Sequence, residues 1–435
     1  MDWTLYDTQS KRWRNEGKRY IAAINAFVEK GMQDGWDSVG AEPQETREDM
    51  AQEVLKIVRQ ANESGEIAAL REYFPPAHEP LIGLIREKGQ AIRSVFYIDE
   101  NRMVFTVGAS WEPTTVYLFA DNQFEILPNV HGVGRSPDGR IYALAYENGI
   151  YTYDGWQGSE LQRFDWPTGL EGIPGEWTVE SMEEARSITE LIPFPDQQRL
   201  LLVNATGVYV LSTEGARRLH PDKETIQEWK EDMEEDEPFS IQIDMEHGAI
   251  SRDGKWIAFG SQDSEHLVFN AELNINDVWH PESSYPHYAL FSYDSRNVLF
   301  NACHFYNGVS IAVPLEQTVP AEATGKDSDE FIVDDECRIY AGVSWGDVFI
   351  VGDAYGYVRA WSITGEFRWR LFVGSTISGM DISPDGKILL VGTYGGILHR
   401  IRLDAGRDEY MIGTGEHSEE RRWLIWKKEQ QILAW

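Results

Sequence analysis

A strand–turn–strand unit recurs along this chain, and its spacing constrains the fold more than any other feature. The clearest copies are "VGRSPDGRIYALAYENGIYTYDG" from Val133, "AISRDGKWIAFGSQDSEHLVFN" from Ala249 and "DISPDGKILLVGTYGGILHRI" from Asp381. Weaker copies begin at Phe96, Leu191 and Leu290, and a seventh at Arg338 carries Trp-Gly-Asp at its turn. The turn aspartates stand at 99, 138, 196, 253, 294, 347 and 385, separated by 39, 58, 57, 41, 53 and 38 residues. Units of about 40 residues with three or four short apolar strands predict the blades of a β-propeller. The turn chemistry fits that reading. Pro presets the first φ, Asp caps the turn and Gly takes the position that needs φ > 0.

The longer gaps hold insertions over 166–188, 221–240 and 314–329. "VFIVGDAYGYVRAW" and "ILLVGTYGGILHRI" align strand for strand, which fixes the phase of the repeat. The last residues, "RRWLIWKKEQQILAW", resemble the opening of the first unit, and an apolar end of this kind reads as strands built into a sheet. "PLIGLIREK", 80–88, reads as their N-terminal partner, closing the propeller and removing exposed edges. Seven blades are expected, with eight as the alternative. Residues 1–78 read instead as helices, from the three- and four-residue spacing of Ile21, Ile24, Phe27, Val28 and Met32 and of Met50, Val54, Leu55 and Val58. The expected organisation is a helical extension over 1–78 and an all-β propeller over 79–435.

Charge narrows the partners. The formal net charge is −33. Residues 1–78 carry −4 of it, so −29 belongs to the propeller region. Such a surface disfavours nucleic acid, whose phosphates need cations, and suits a basic protein. Cys303 and Cys337 have neither CxxC spacing nor enough company for a disulfide framework or structural zinc. No run of 18 apolar residues predicts a membrane span, and "MDWTLYDTQSKRWRNEGK" has no apolar secretory core, so a cytoplasmic location is expected. The sequons at Asn62 and Asn204 would then be silent.

The repeat form resembles the WD-repeat and quinoprotein-like β-propellers from about residue 90 onward. Trp361-Ser362 stands where the WD family closes its third strand with Trp-Asp. Tyr153-Asp154 and Leu403-Asp404 keep the Asp, and His131-Gly132 and His247-Gly248 look like the family's Gly-His region reversed. The resemblance implies a protein-binding platform.

"GVSWG", 342–346, fits the G-x-S-x-G nucleophile elbow, but strands follow where the elbow needs a helix. His247, His266, His280, His287 and His304 include no HxH or HExxH pair, so no metal is assigned. His131, His247 and His287 share a strand-entry position and read as turn-tying or partner-facing groups. The single Asp of each turn lacks the alternating array of a calcium loop. No phosphate loop or other cofactor motif occurs, and no cofactor is expected.

The unrepeated segments remain. "DKETIQEWKEDMEEDEP", 222–238, holds nine acidic and two basic residues. Its Glu231, Asp232, Glu234, Glu235 and Asp236, with the loop aromatics Trp166 and Trp177, are candidate partner contacts, alongside His131, His247 and His287. The expected function is a non-catalytic protein-binding propeller, in its sharpest form a cytosolic bacterial immunity (antitoxin-like) protein neutralising a basic toxin. The alternatives are a channel enzyme of lactonase, lyase or hydrolase type and an assembly scaffold. Oligomeric state is left open.

Overall fold

The computed structural model describes residues 1–435 apart from 181, 235–237, 282, 305–306, 316–330 and 335. Among the described residues, seven antiparallel sheets follow one another along the chain, over 92–126, 132–164, 190–220, 247–279, 286–334, 339–372 and 377–434. In each sheet the strands pair in sequence order, four strands in the first six and five in the last. This is a seven-bladed β-propeller with an N-terminal helical segment, and the blades are numbered 1 to 7 in chain order.

The repeated turns are the hairpins between the first and second strands of a blade. In blade 2 the Ser136 hydroxyl donates to Asp138 Oδ1 (2.6 Å), which also accepts from Arg140 N (3.2 Å). Ser251 with Asp253, Ser292 with Asp294 and Ser383 with Asp385 repeat the pattern at 2.7, 2.6 and 2.6 Å. The next residue is left-handed: φ is 81° at Gly139, 71° at Gly254 and 72° at Gly386. In the weaker copies Gln197 (φ 65°) and Ser295 (φ 61°) occupy that place, at a steric cost a glycine avoids.

The chain divides into two compact units. The larger comprises Ile98–Val351 and Trp361–Phe367. Within it, neighbouring blades share their apolar faces. Phe194, Leu201 and Val203 of blade 3 pack with Ile250, Ile257 and Phe259 of blade 4. Ala258 and Val268 of blade 4 pack with Phe291 and Phe300 of blade 5. Burial on both faces is why these strands read as continuous apolar runs rather than strict alternation.

The second unit comprises Met1–Tyr97, Gly352–Ala360 and Arg368–Trp435. Helices α1 (Asp7–Asp34), α2 (Ala51–Ser64), α3 (Ile67–Tyr73) and α4 (Ile82–Lys88) lie here. Trp13, Val54, Leu55, Val58, Leu70, Phe74, Leu81 and Leu84 form one core with Ile397, Leu424, Trp426, Leu433 and Trp435. The α2 stripe of Met50, Val54, Leu55 and Val58 is thus spent on blade 7; in the α1 stripe Ile21 and Ile24 are buried, while Met32 stands 52% exposed at the far end.

Two sequence expectations are corrected here. Residues 80–88 are not a strand: a 3₁₀ turn over Glu79–Leu81 leads into α4, with Pro80 in the first turn. Leu81, Leu84 and Ile85 are spaced for one helical face, a period that the short apolar run concealed. Nor do the two ends of the chain share a sheet. The final strand, Leu433–Ala434, pairs with Ser418–Leu424 of the same blade. The first strand, Ile92–Asp99, meets blade 7 through side chains instead: Tyr97 N donates to Asp381 Oδ2 (2.6 Å), and the Ser378 hydroxyl to Ile92 O (2.8 Å). The outer edge of blade 7 is covered by Asn62 of α2. Its amide donates to Ala434 O (2.8 Å) and accepts from Ala434 N (2.7 Å), standing in for a further strand.

Candidate protein-binding surface

Two unrepeated segments of the larger unit build a structure of their own. The connection between blades 2 and 3, 165–189, and that between blades 3 and 4, 221–246, fold onto each other. Helix α5 (Lys223–Glu231) starts at Asp222, whose carboxylate accepts from Thr225 N (2.9 Å). Its Ile226 is buried with Phe239 and Ile241 against Ile173, Trp177, Met182 and Trp229. Trp177 sits edge-on to Phe239 at 5.1 Å. Phe239 N donates to Thr178 O (2.8 Å) and Glu180 N to Phe239 O (2.9 Å), so the insertions are joined backbone to backbone. Arg218 of blade 3 fastens the base, donating to Gly169 O and Glu171 O at 2.5 Å each.

The outside of this small domain is acidic. Glu176, Glu180, Glu183 and Glu184 of the first insertion are exposed, as are Asp222, Glu224, Glu228, Glu231, Asp232 and Glu234 of the second. Leu170, 48% exposed, gives them an apolar neighbour. Because each sheet is a meander, its second-to-third turn lies at the same end as its exit to the next blade. That end of the larger unit therefore also carries Trp111 (77% exposed), in the turn after Arg102–Val107, and Tyr285 (37% exposed), ahead of blade 5. Exposed aromatics beside a single-sign field are the raw material of a binding surface.

The candidate residues from the sequence divide. Glu231, Asp232 and Glu234 are exposed together at the end of α5, whereas Glu235 and Asp236 lie outside the described residues. Trp166 and Trp177 are half-buried anchors rather than projecting side chains; Trp166 Nε1 donates to Tyr146 O (2.9 Å). His131 is exposed. His247 and His287 are 4% and 6% exposed, which corrects their assignment as surface contacts. His247 ties a turn, its Nδ1 lying 2.9 Å from Met245 O.

Beneath the insertions these two histidines join His220 and His266, which the sequence reading did not group. His247 and His266 have ring centroids 6.5 Å apart, and His266 stacks on Phe300 at 4.4 Å. His220 Nε2 is 2.9 Å from the Ser261 hydroxyl. His287 sits edge-on to Tyr340 at 4.7 Å. Burial pushes all four below the usual histidine range, to about 4 for His220 and His247 and about 3 for His287. Among the described residues no group of His, Cys, Asp or Glu has the arrangement of a metal site. The available signal was positional: His220 and His247 border the second insertion on either side.

Other candidates are spent within the fold. The smaller unit has a cleft of about 460 Å³ lined by residues including Lys18, Arg71 and Glu409, but Lys18 pairs with Glu409 (2.7 Å) and Arg71 donates to Trp435 O and Glu419 O. Ser344 lies on the strand Ile339–Trp345, which turns directly into the strand Val348–Asp353, so no helix supports an elbow. Trp345 packs edge-on against Tyr293 at 4.8 Å.

No protein-family model matches the chain. Jouberin of Mus musculus is 24% identical over 186 residues, 39% of this chain. The chain spans only 18% of jouberin's length. Among solved structures, the β-propeller domain of Myceliophteria thermophila Cps50 (Swd1) resembles it with a TM-score of 0.46 and 11% identity, over 69% of this chain and 92% of that one. The seven consecutive meander sheets, with their repeated Ser-x-Asp-Gly hairpins, settle the architecture. The fold is a seven-bladed β-propeller.

Asp381 of the strand Ile377–Ile382 is 4% exposed and accepts from Tyr97 N, so it is spent within the fold. Among the described residues no helix is long and apolar enough to cross a membrane.

Proposed function

We propose that this propeller is a non-catalytic binding protein, and that the joint insertion domain on blade 3 receives a basic protein partner. The observation that carries the reading is the exposure of ten carboxylates on one rigidly fastened pair of insertions. Fields of this kind speed encounter with a cationic surface, and an apolar neighbour such as Leu170 adds desolvated contact once the partner is seated. In its narrower form the proposal is an immunity-type (antitoxin-like) role, in which the acidic domain covers the functional surface of a basic toxin. The strong negative charge of the chain supports that form.

The experiment is affinity capture with the full chain, comparing wild type with the triple variant Glu224→Lys/Glu228→Lys/Glu231→Lys. These residues lie on the outside of α5, so the fold is expected to persist. Partners captured by wild type and lost with the variant should be basic proteins. Partners that are acidic, or that the variant retains in full, would overturn the proposal. The narrower form predicts that a captured basic enzyme is inhibited in the complex; a fully active complex would overturn it.

A further inference from the structure

We propose that His220 and His247, backed by His266 and His287, form an acid-sensitive clasp on both stems of the 221–246 insertion, closed when the imidazoles are neutral and released when they are protonated. The insertion leaves blade 3 at His220 and re-enters blade 4 at His247. Both stems are held by the same turn, 261–265, between the second and third strands of blade 4. The Ser261 hydroxyl meets His220 Nε2 at 2.9 Å, and Gln262 N donates to Asp244 O at 2.9 Å. His247 lies against Gly260 and turns its Nδ1 to Met245 O. The clasp therefore depends on ring nitrogens and on one turn.

Burial opposes protonation at each of the four histidines. His220 is packed with Phe259 and faces His247 and Arg218, with Asp222 as an acidic neighbour. His247 faces His220 and His266, and His266 is covered by Phe300. His287, from blade 5, faces Arg338, Tyr340 and His247. The nearby acids are engaged elsewhere: Glu246 accepts from the Thr189 hydroxyl, and Glu265 is 3.0 Å from His280. Among the described residues no carboxylate is placed to pair with an imidazolium at His247, His266 or His287. A proton on any of these three charges a buried group, whereas in the released state it is solvated.

The sign follows from burial. Each folded-state pKa lies below the free value of 6.5, so the neutral form is the folded form. The clasp is at full strength above about pH 6.5 and weakens as pH falls toward about 4. Each histidine that titrates on release contributes nearly tenfold per pH unit within that window, so His220 and His247 together give roughly 50-fold more opening at pH 5 than at pH 6. As a control on partner binding the clasp rests on the proposed function; as a property of the insertion it does not.

The test therefore reads the insertion alone, by hydrogen exchange of 221–246 in the full chain, corrected for intrinsic rates, between about pH 7 and pH 5. Protection in wild type should fall roughly 50-fold from pH 6 to pH 5, while the strands of blades 2 and 5 stay protected. The double variant His220→Gln/His247→Asn, which keeps donors near the same places, should lose most of that dependence. If the double variant fails to fold, the single variant His220→Gln should lose about half of the dependence on a logarithmic scale. Protection that stays level in wild type, or rises as carboxylate repulsion on α5 is relieved, would overturn the proposal. So would an unchanged pH dependence in the folded variants.

Discussion

The attachment of the helical segment to blade 7 rests on a buried ionic cluster, which makes Glu419 the most informative single site for stability. Glu419 Oε1 lies 2.5 Å from His399 Nδ1 and 3.0 Å from Arg422 Nε. Arg422 continues to Ala77 O (3.1 Å), and Arg71 donates to the Glu419 backbone carbonyl. Glu419 and Arg422 are 9% and 8% exposed and His399 is fully buried. Burial would raise the carboxyl pKa, but Arg422, His399 and Arg71 outweigh it and hold Glu419 well below the usual range. Burial keeps His399 neutral, so it donates Nδ1–H to an ionised Glu419. In Glu419→Gln the two arginines keep their charges in a pocket without an anion, and the expected loss is about 3–5 kcal/mol. An exposed pair in the same unit, Arg12–Asp49 (40% and 63%), supplies the contrast: Asp49→Asn should cost less than about 1 kcal/mol. Urea unfolding at neutral pH measures both. The carboxylate's contribution is present above its unfolded value of about 4.3 and disappears as pH falls below it, so the wild-type advantage over Glu419→Gln should shrink in acid. A Glu419→Gln cost no greater than that of Asp49→Asn would refute the reasoning.

Three further outcomes follow from the fold. Gln197→Gly relieves a left-handed, exposed residue at a hairpin where stronger copies carry glycine, and should raise stability by about 0.5–1 kcal/mol in thermal unfolding; a loss would contradict the turn assignment. Asn62→Ala strips both partners from Ala434 and should cost about 1–3 kcal/mol, with faster amide exchange confined first to the edge of blade 7. Trp177→Ala removes the side chain that lies against Phe239, and hydrogen exchange should then accelerate in 165–189 and 221–246 together; acceleration of the first segment alone would show that the insertions do not share a core.

Much of the propeller was legible because blade geometry is written locally. A Ser-x-Asp-Gly hairpin between two apolar runs needs no distant partner to be recognised, and its repetition sets the blade spacing. The weak copies were found by analogy, and Gln197 and Ser295 show why they are weak. Closure was harder to read. It depends on the side chains of Ser378 and Asp381 meeting the backbone of Ile92 and Tyr97, far apart in sequence, and on a terminal strand of two residues. Residues 80–88 misled because four apolar positions in nine fit either period, and only packing against blade 7 decides for the helix. The acidic surface was plain in composition, whereas the pairing of the two insertions was not, since nothing local links Thr178 to Phe239. The histidines were noticed as a repeated position on strands. Their gathering with His220 and His266 around one turn appears only when blades 3, 4 and 5 are placed side by side.

The central claim is that a basic partner binds through the acidic insertions on blade 3. It is tested most directly by the affinity of a captured partner measured from about 50 to about 500 mM salt, for wild type and for the Glu224→Lys/Glu228→Lys/Glu231→Lys variant. The account predicts that wild-type affinity falls steeply with salt and that the variant binds weakly throughout. Affinity that is indifferent both to salt and to the three reversals would contradict it.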